Sequence, residues 1–248
     1  MKKAIKMSVC LVALFLVTLS PAFSQKVKTE TVDGVQIIHN DAEGQWGKNA
    51  QVELEFIKTI GEMDSLDDEV IFFMPTDIGF DLKGNIYILD SGNHRIQKFS
   101  PDGEYITTIG QQGQGPGEFQ YPQSMALDQD GMLYISDMGN RKIHVLKPGG
   151  GEDHTVQLND RAVENIRLVP SGEIIMGGGG GFMMVSPGSM NEDQDLGKLF
   201  TVLDSEGNVV KQFGEKLDYK DFLMNRSGNR YHFAVDKTGH VYVAFDVN

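Results

Sequence analysis

Residues 74–103, MPTDIGFDLKGNIYILDSGNHRIQKFSPDG, align without a gap on residues 121–150, YPQSMALDQDGMLYISDMGNRKIHVLKPGG, at an offset of 47. The identical pairs are Pro75/Pro122, Asp81/Asp128, Gly84/Gly131, Tyr87/Tyr134, Ile88/Ile135, Asp90/Asp137, Gly92/Gly139, Asn93/Asn140, Ile96/Ile143, Pro101/Pro148 and Gly103/Gly150. Self-similarity at such a period marks an architecture of stacked supersecondary units, each burying an apolar face against its neighbour.

In the first copy the apolar residues fall into short runs, Thr76–Asp81, Asn85–Leu89, Arg95–Phe99 and Tyr105–Ile109, which read as four strands. The intervening stretches DLKGN (81–85), DSGN (90–93) and SPDG (100–103) supply residues that tolerate positive φ or hydrogen-bond their own backbone. Four strands joined by tight turns make an up-and-down meander. Repeated every ~40 to 50 residues, that meander is a β-propeller blade.

A third, weaker unit comprises Asn165–Pro170, Gly172–Met176, Leu199–Asp204 and Val209–Phe213, interrupted by an insertion. A fourth begins at Tyr231–Asp236 and runs to Asn248. Ahead of the first copy, FIKTIG (56–61) matches YITTIG (105–110), the outermost strand of a blade. The chain is therefore expected to enter on a last strand that closes the ring and removes an exposed edge. The expectation is an all-β fold: a β-propeller of four-stranded antiparallel blades, with about three and a half blades and one donated strand present. Either a piece of a longer chain or a four-bladed ring fits that count.

Lys2, Lys3 and Lys6 precede an apolar run from Ser8 to Leu19, followed by small residues at Ala22 and Ser24. That order reads as a signal peptide over residues 1–24, cleaved before Gln25, and the run is shorter than the ~20 residues of a spanning helix. An N-terminal extension over 25–50 and a propeller over 51–248 follow. Export to the periplasm or the extracellular space is expected, with no stable membrane span after removal of the signal.

Cys10 is the only cysteine and lies inside the signal, so the mature chain has no thiol for a disulfide, a metal or a nucleophile. Removal of the three lysines leaves 19 basic residues against 35 acidic ones, histidines apart. That balance disfavours nucleic acid and anionic lipid as partners.

On DSGNHRIQ (90–97) and GQGPGEFQYP (113–122) the chain resembles the NHL-repeat family, especially its exported bacterial six-bladed propellers. The resemblance is strong over Phe73–Leu146, looser from there to Asn248, and absent from the signal and from Lys26–Asn49. It implies a six-bladed ring, incomplete at its C-terminal end in this chain. Members of the family bind proteins, RNA or peptides, and some related propellers are lyases or lactonases, so fold alone does not settle function.

If the innermost strand of each blade runs down the channel, the DSGNHR turns and the GQGPGE links emerge together on an upper face. His94 and Arg141 are then upper-face binding candidates. Asp90, Asn93 and Arg95, with their repeats Asp137, Asn140 and Lys142, read as structural: the aspartates accept turn amides, and the cations pair with acids between blades.

Aligning the innermost strands on Asp81, Asp128, Val169 and Asp236 places Asp77, Ser124, Asn165 and His232 at one equivalent, polar position. Two residues on come Gly79, Ala126, Arg167 and Ala234, while Ile78, Met125, Ile166 and Phe233 occupy the opposite face. The polar four are expected to ring the channel mouth. There they would either meet water or hold a ligand or a divalent cation.

Other signals carry less. Gly177–Gly181 lacks the Lys-Ser/Thr ending of a phosphate loop and reads as a mobile insertion, and Asp128–Gly131 lacks the further ligands of a calcium loop. His39, His144, His154 and His240 show no metal-ligand spacing, and no cofactor or catalytic motif is recognisable.

Two functions remain open. One is a non-catalytic exported binding or scaffold module that presents its upper face to a protein, peptide or glycan. The alternative is a metal-dependent propeller enzyme, similar to peptidyl-amidoglycolate lyases or calcium lactonases, with its ion at the channel mouth.

Overall fold

A computed structural model describes residues 28–32, 35–39, 55–61, 71–158, 165–177, 198–216 and 231–245. Residues 1–24, expected to be a signal peptide, Trp46 and the Gly-rich stretch beyond Gly177 lie outside them.

Three four-stranded antiparallel sheets form in strict chain order. Blade 1 holds β3 (Pro75–Phe80), β4 (Ile86–Asp90), β5 (Arg95–Phe99) and β6 (Tyr105–Ile109). Blade 2 holds β7 (Pro122–Leu127), β8 (Leu133–Asp137), β9 (Lys142–Leu146) and β10 (Glu152–Gln157). Blade 3 holds β11 (Asn165–Leu168), β12 (Ile174–Gly177), β13 (Lys198–Leu203) and β14 (Val209–Glu215). The hairpin of β15 (Tyr231–Val235) and β16 (Val241–Phe245) begins a fourth. Every strand of these blades lies within a few residues of its sequence expectation.

A separate compact unit within residues 1–54 contains the antiparallel hairpin of β1 (Lys28–Val32) and β2 (Val35–His39). The sequence reading assigned no strands there. Residues 56–61, expected to form an outermost strand, carry no strand; Phe56 and Ile57 are exposed, and Lys58 reaches Asp102 O and Glu104 Oε1. A strand needs a neighbouring edge to receive its N–H and C=O groups, and no described strand pairs with this segment.

The connection between the first two strands of each blade uses the same chemistry wherever aspartate is present. Oδ1 of Asp81 accepts the N–H groups of Lys83 and Asn85, both at 2.9 Å. Asp128 takes those of Asp130 and Met132, and Asp236 those of Thr238 and His240. Asp128 therefore serves a turn, as its sequence context indicated. Gly84 and Gly131 supply the positive φ values, 81° and 78°, that close these turns.

The DSGN turn departs from expectation. Neither Gly92 nor Asn93 takes positive φ; the left-handed residue is His94 at 56°, and Arg141 at 53° in the repeat. Gly92 is needed for space instead. Its N–H donates to Phe73 O at 2.8 Å, and a Cβ there would lie 2.4 Å from that oxygen and 2.3 Å from the Phe73 ring. Gly92→Ala is expected to cost about 1–3 kcal/mol by overpacking, read as a lowered urea midpoint; an unchanged midpoint would refute that reading.

Because strand side chains alternate between faces, each blade sends one apolar set forward and one back. Tyr87, Leu89 and Ile96 of blade 1 meet Met125, Leu133 and Ile135 of blade 2. Ile143 and Val145 of blade 2 meet Ile166, Ile174 and Leu203 of blade 3. Ile175, Phe200 and Val202 of blade 3 meet Tyr231 and Phe233 of the last hairpin. The core thus lies between blades. Full burial of one such aliphatic side chain contributes about 1.5–3 kcal/mol.

Candidate functional site at the inner strands

Pairing of Pro75 with Asp90, and of Pro122 with Asp137, places the start of each innermost strand beside the end of the second. The His94 and Arg141 turns share that end, and the link from β6 arrives there. It is the upper face of the sequence reading.

Innermost strands β3, β7, β11 and β15 neighbour one another in order. Asp77, Ser124, Asn165 and His232 occupy matching register positions, opposite Leu89, Ser136, Gly177 and Ala244. Asp77 and Ser124 are brought together. Ser124 Oγ donates to Asp77 Oδ2 at 2.7 Å, and the same oxygen accepts Met125 N–H at 2.9 Å. One blade further on, Ser124 Oγ accepts Ile166 N–H at 3.2 Å. The polar position of one blade therefore holds the next backbone amide of its neighbour. Ser124 is fully buried, Asn165 half-buried and His232 exposed.

Arg167 completes this chain. Its Nη1 donates to Asp77 Oδ2 at 3.2 Å, Ser124 Oγ at 3.1 Å and Ile166 O at 2.7 Å. Its guanidinium carbon stands 5.9 Å from the centre of the Phe233 ring. One side chain thus touches parts of all four blade units. The sequence carried a signal for it, a single long cation at a position otherwise Gly79, Ala126 and Ala234.

Asp90, fully buried, accepts Phe73 N–H at 2.7 Å, Asn93 Nδ2 at 2.8 Å and Arg95 Nε at 3.0 Å. Arg95 pairs with Asp90 of its own blade, and Lys142 makes no ion pair among the described residues. Asp90 and Arg95 meet because the turn aspartate lies opposite the first residue of β5.

Asp137, also fully buried, accepts the N–H groups of Gln120, Tyr121, Gly139 and Asn140 and the Asn140 amide. His144 Nε2 lies 3.3 Å from it, and His144 Nδ1 lies 2.8 Å from Glu152 Oε1. Burial alone would raise the Asp137 pKa. The hydrogen bonds from His144 and from the backbone of Tyr121, Gln120 and Asn140 outweigh burial and bring it down to about 2. This network was not legible in the motif, because His144 stands where blade 1 has Gln97.

His94 Nδ1 is buried without a hydrogen-bond partner among the described residues, and its ring meets Tyr121 edge-on at 6.1 Å. Arg141, Met74, Tyr121 and Met138 are exposed. These four residues and His94 all flank the upper ends of the strands.

No described helix is long and apolar enough to cross a membrane, and the described residues contain no group of three or more His, Cys, Asp or Glu placed to hold a metal.

Repeated four-stranded meanders packed face to face around adjoining innermost strands define a β-propeller. The chain belongs to the DUF5128 family, described as a 6-bladed beta-propeller, whose model matches residues 67–243. No curated protein sequence matches it. Among solved structures, a Bacteroides fragilis protein described as exported is 18% identical, with a TM-score of 0.50 over 62% of this chain and 41% of its own. A Bacteroides caccae protein of unknown function is also 18% identical, with a TM-score of 0.42 over 56% of this chain and 48% of its own. Virginiamycin B lyase from Staphylococcus aureus is 14% identical, with a TM-score of 0.43 over 79% and 58%. The chain thus spans less than half the length of the two Bacteroides structures, and at these identities the likeness concerns the fold.

Proposed function

We propose that this chain is part of an exported, NHL-type binding module without catalytic activity, and that its upper face takes a protein, peptide or glycan ligand. The observation that carries this reading is how the inner polar groups are used. Ser124 Oγ has one hydrogen and two lone pairs, and Asp77, Ile166 and Arg167 match all three. Both oxygens of Asp77 already accept protein donors, Oδ1 from Ile78 N–H at 3.0 Å. Asp90 and Asp137 are likewise committed to turns. Exposed Tyr121, Met138 and Arg141 combine an aromatic, a polarisable and a cationic side chain suited to recognition.

Export rests on the signal-like residues 1–24, which lie outside the described part, and the acidic charge argues against a nucleic-acid ligand. The alternative, a metal-dependent enzyme with a divalent cation near Asp77, Asn165 and His232, draws support from His232, an exposed imidazole at the inner strand. An ion at Asp77 would have to bind through Oδ1, which already accepts Ile78 N–H, because Oδ2 holds the donors from Ser124, Met125 and Arg167.

The test probes the immobilised full chain with peptide and glycan libraries, wild type beside a Tyr121→Ala/Arg141→Glu double variant. Binding lost in the variant at unchanged melting temperature is the expected result. Ligands retained undiminished by the variant would remove the upper face from the proposal.

A further inference from the structure

Arg167 is held by one edge and open at the other. Its Nη1 carries two hydrogens and meets three acceptors, Asp77 Oδ2, Ser124 Oγ and Ile166 O. Nε and Nη2 have no hydrogen-bond partner among the described residues, and the side chain retains 32% of its exposure. The pinned edge fixes the guanidinium plane against Asp77 and over Phe233. The Nε–Nη2 edge is the two-pronged side of arginine, whose parallel N–H groups match the two oxygens of a carboxylate.

We infer that Arg167 is a ligand-binding residue, presenting its Nε–Nη2 edge at the inner strands as a receptor for the carboxylate of a singly charged ligand. This rests on the binding reading above and adds to it a second contact point and a ligand chemistry.

Several observations favour a monocarboxylate over other anions. Two free N–H groups in one plane suit a planar acceptor pair. Asp77 lies 3.2 Å from Nη1 and cancels part of the cation, which shrinks the electrostatic advantage that a phosphate or sulfate dianion would have over a monoanion. The pinned plane reduces the side-chain entropy that an exposed arginine would lose on binding. Asp77 Oδ2 and Ser124 Oγ, satisfied by one another, by backbone amides and by Arg167, position the guanidinium.

The experiment follows the Arg167 Nε–H resonance of the isotope-labelled full chain while acetate is added at constant ionic strength. Chloride, sulfate and phosphate titrations serve as comparisons. A saturable acetate shift in the low-millimolar range, absent with chloride and weaker with sulfate and phosphate, is expected. Arg167→Lys keeps the charge but lacks the paired N–H groups. It should weaken acetate binding roughly tenfold or more, read by calorimetry.

No saturable shift in the wild type, or the same shift with chloride, overturns the inference without reference to any variant. Equal or tighter binding of sulfate or phosphate overturns the choice of carboxylate. If acetate fails while Tyr121→Ala/Arg141→Glu still abolishes library binding, only the Arg167 inference falls. If acetate binds and the double variant changes nothing, the upper-face reading falls instead.

Discussion

Asp137→Ala is expected to lower stability by about 3–5 kcal/mol, the cost of breaking a buried charge network and leaving its partners unpaired. Four backbone amides, the Asn140 side chain and His144 would lose their acceptor at once. For a chain of this size the melting temperature should fall by roughly 10 °C. Its pH dependence follows from the lowered pKa. The folded carboxyl titrates at about 2, below its unfolded value, so its contribution is complete above pH ~4 and is lost as pH falls through the folded pKa. That part is worth about 2–3 kcal/mol at neutral pH. Urea midpoints of wild type and Asp137→Asn should converge as pH drops from 5 towards 2. A gap independent of pH would show that ionisation of Asp137 does not stabilise the blade.

Phe119→Ala carries the second large effect. Phe119 belongs to no long strand, yet it is fully buried in the cluster between blades 1 and 2. The ring stands edge-on to His144 at 5.1 Å and fills the space beside Gly110, where a Cβ would lie 2.2 Å from it. Its backbone secures the link: Phe119 N–H donates to Gln111 O at 2.8 Å, and Phe119 O accepts Gly113 N–H at 3.0 Å. Truncation should cost about 3–5 kcal/mol through lost burial and the cavity left behind, measured by urea unfolding. Phe119→Leu should cost much less, and hydrogen exchange at Gly113 should accelerate in the alanine variant alone. Small and equal losses in both variants would mean that the link packs independently of its aromatic anchor.

The sequence showed the blades because repetition and strand alternation are local, periodic signals. Asp81 and Gly84 announce their turn by residue type, and the structure uses both as residue type suggests. Gly92 shows the limit of such reasoning. Its role is set by Phe73, 19 positions earlier in the chain, and the left-handed backbone falls on His94 and Arg141, residue types that do not signal it. Asp77 and Ser124 were recognisable as equivalent, but whether they face water, an ion or one another depends on the spacing between blades. Arg167 reaches from blade 3 to blade 1 across 90 residues of sequence, a contact no local pattern encodes. His144 has no partner at metal-ligand spacing in the sequence; its partners are two carboxylates brought to it by the β8–β9 and β9–β10 pairings.

Metal content of the purified full chain, measured by mass spectrometry beside Asp77→Ala and His232→Ala, tests most directly whether the inner polar groups join blades or hold an ion. The predicted result is no stoichiometric ion in any of the three, with a lower melting temperature for Asp77→Ala as its bonds to Ser124, Met125 and Arg167 are lost. One equivalent of a divalent ion in the wild type, released in both variants, would contradict the binding-module account and place a metal centre at the inner strands.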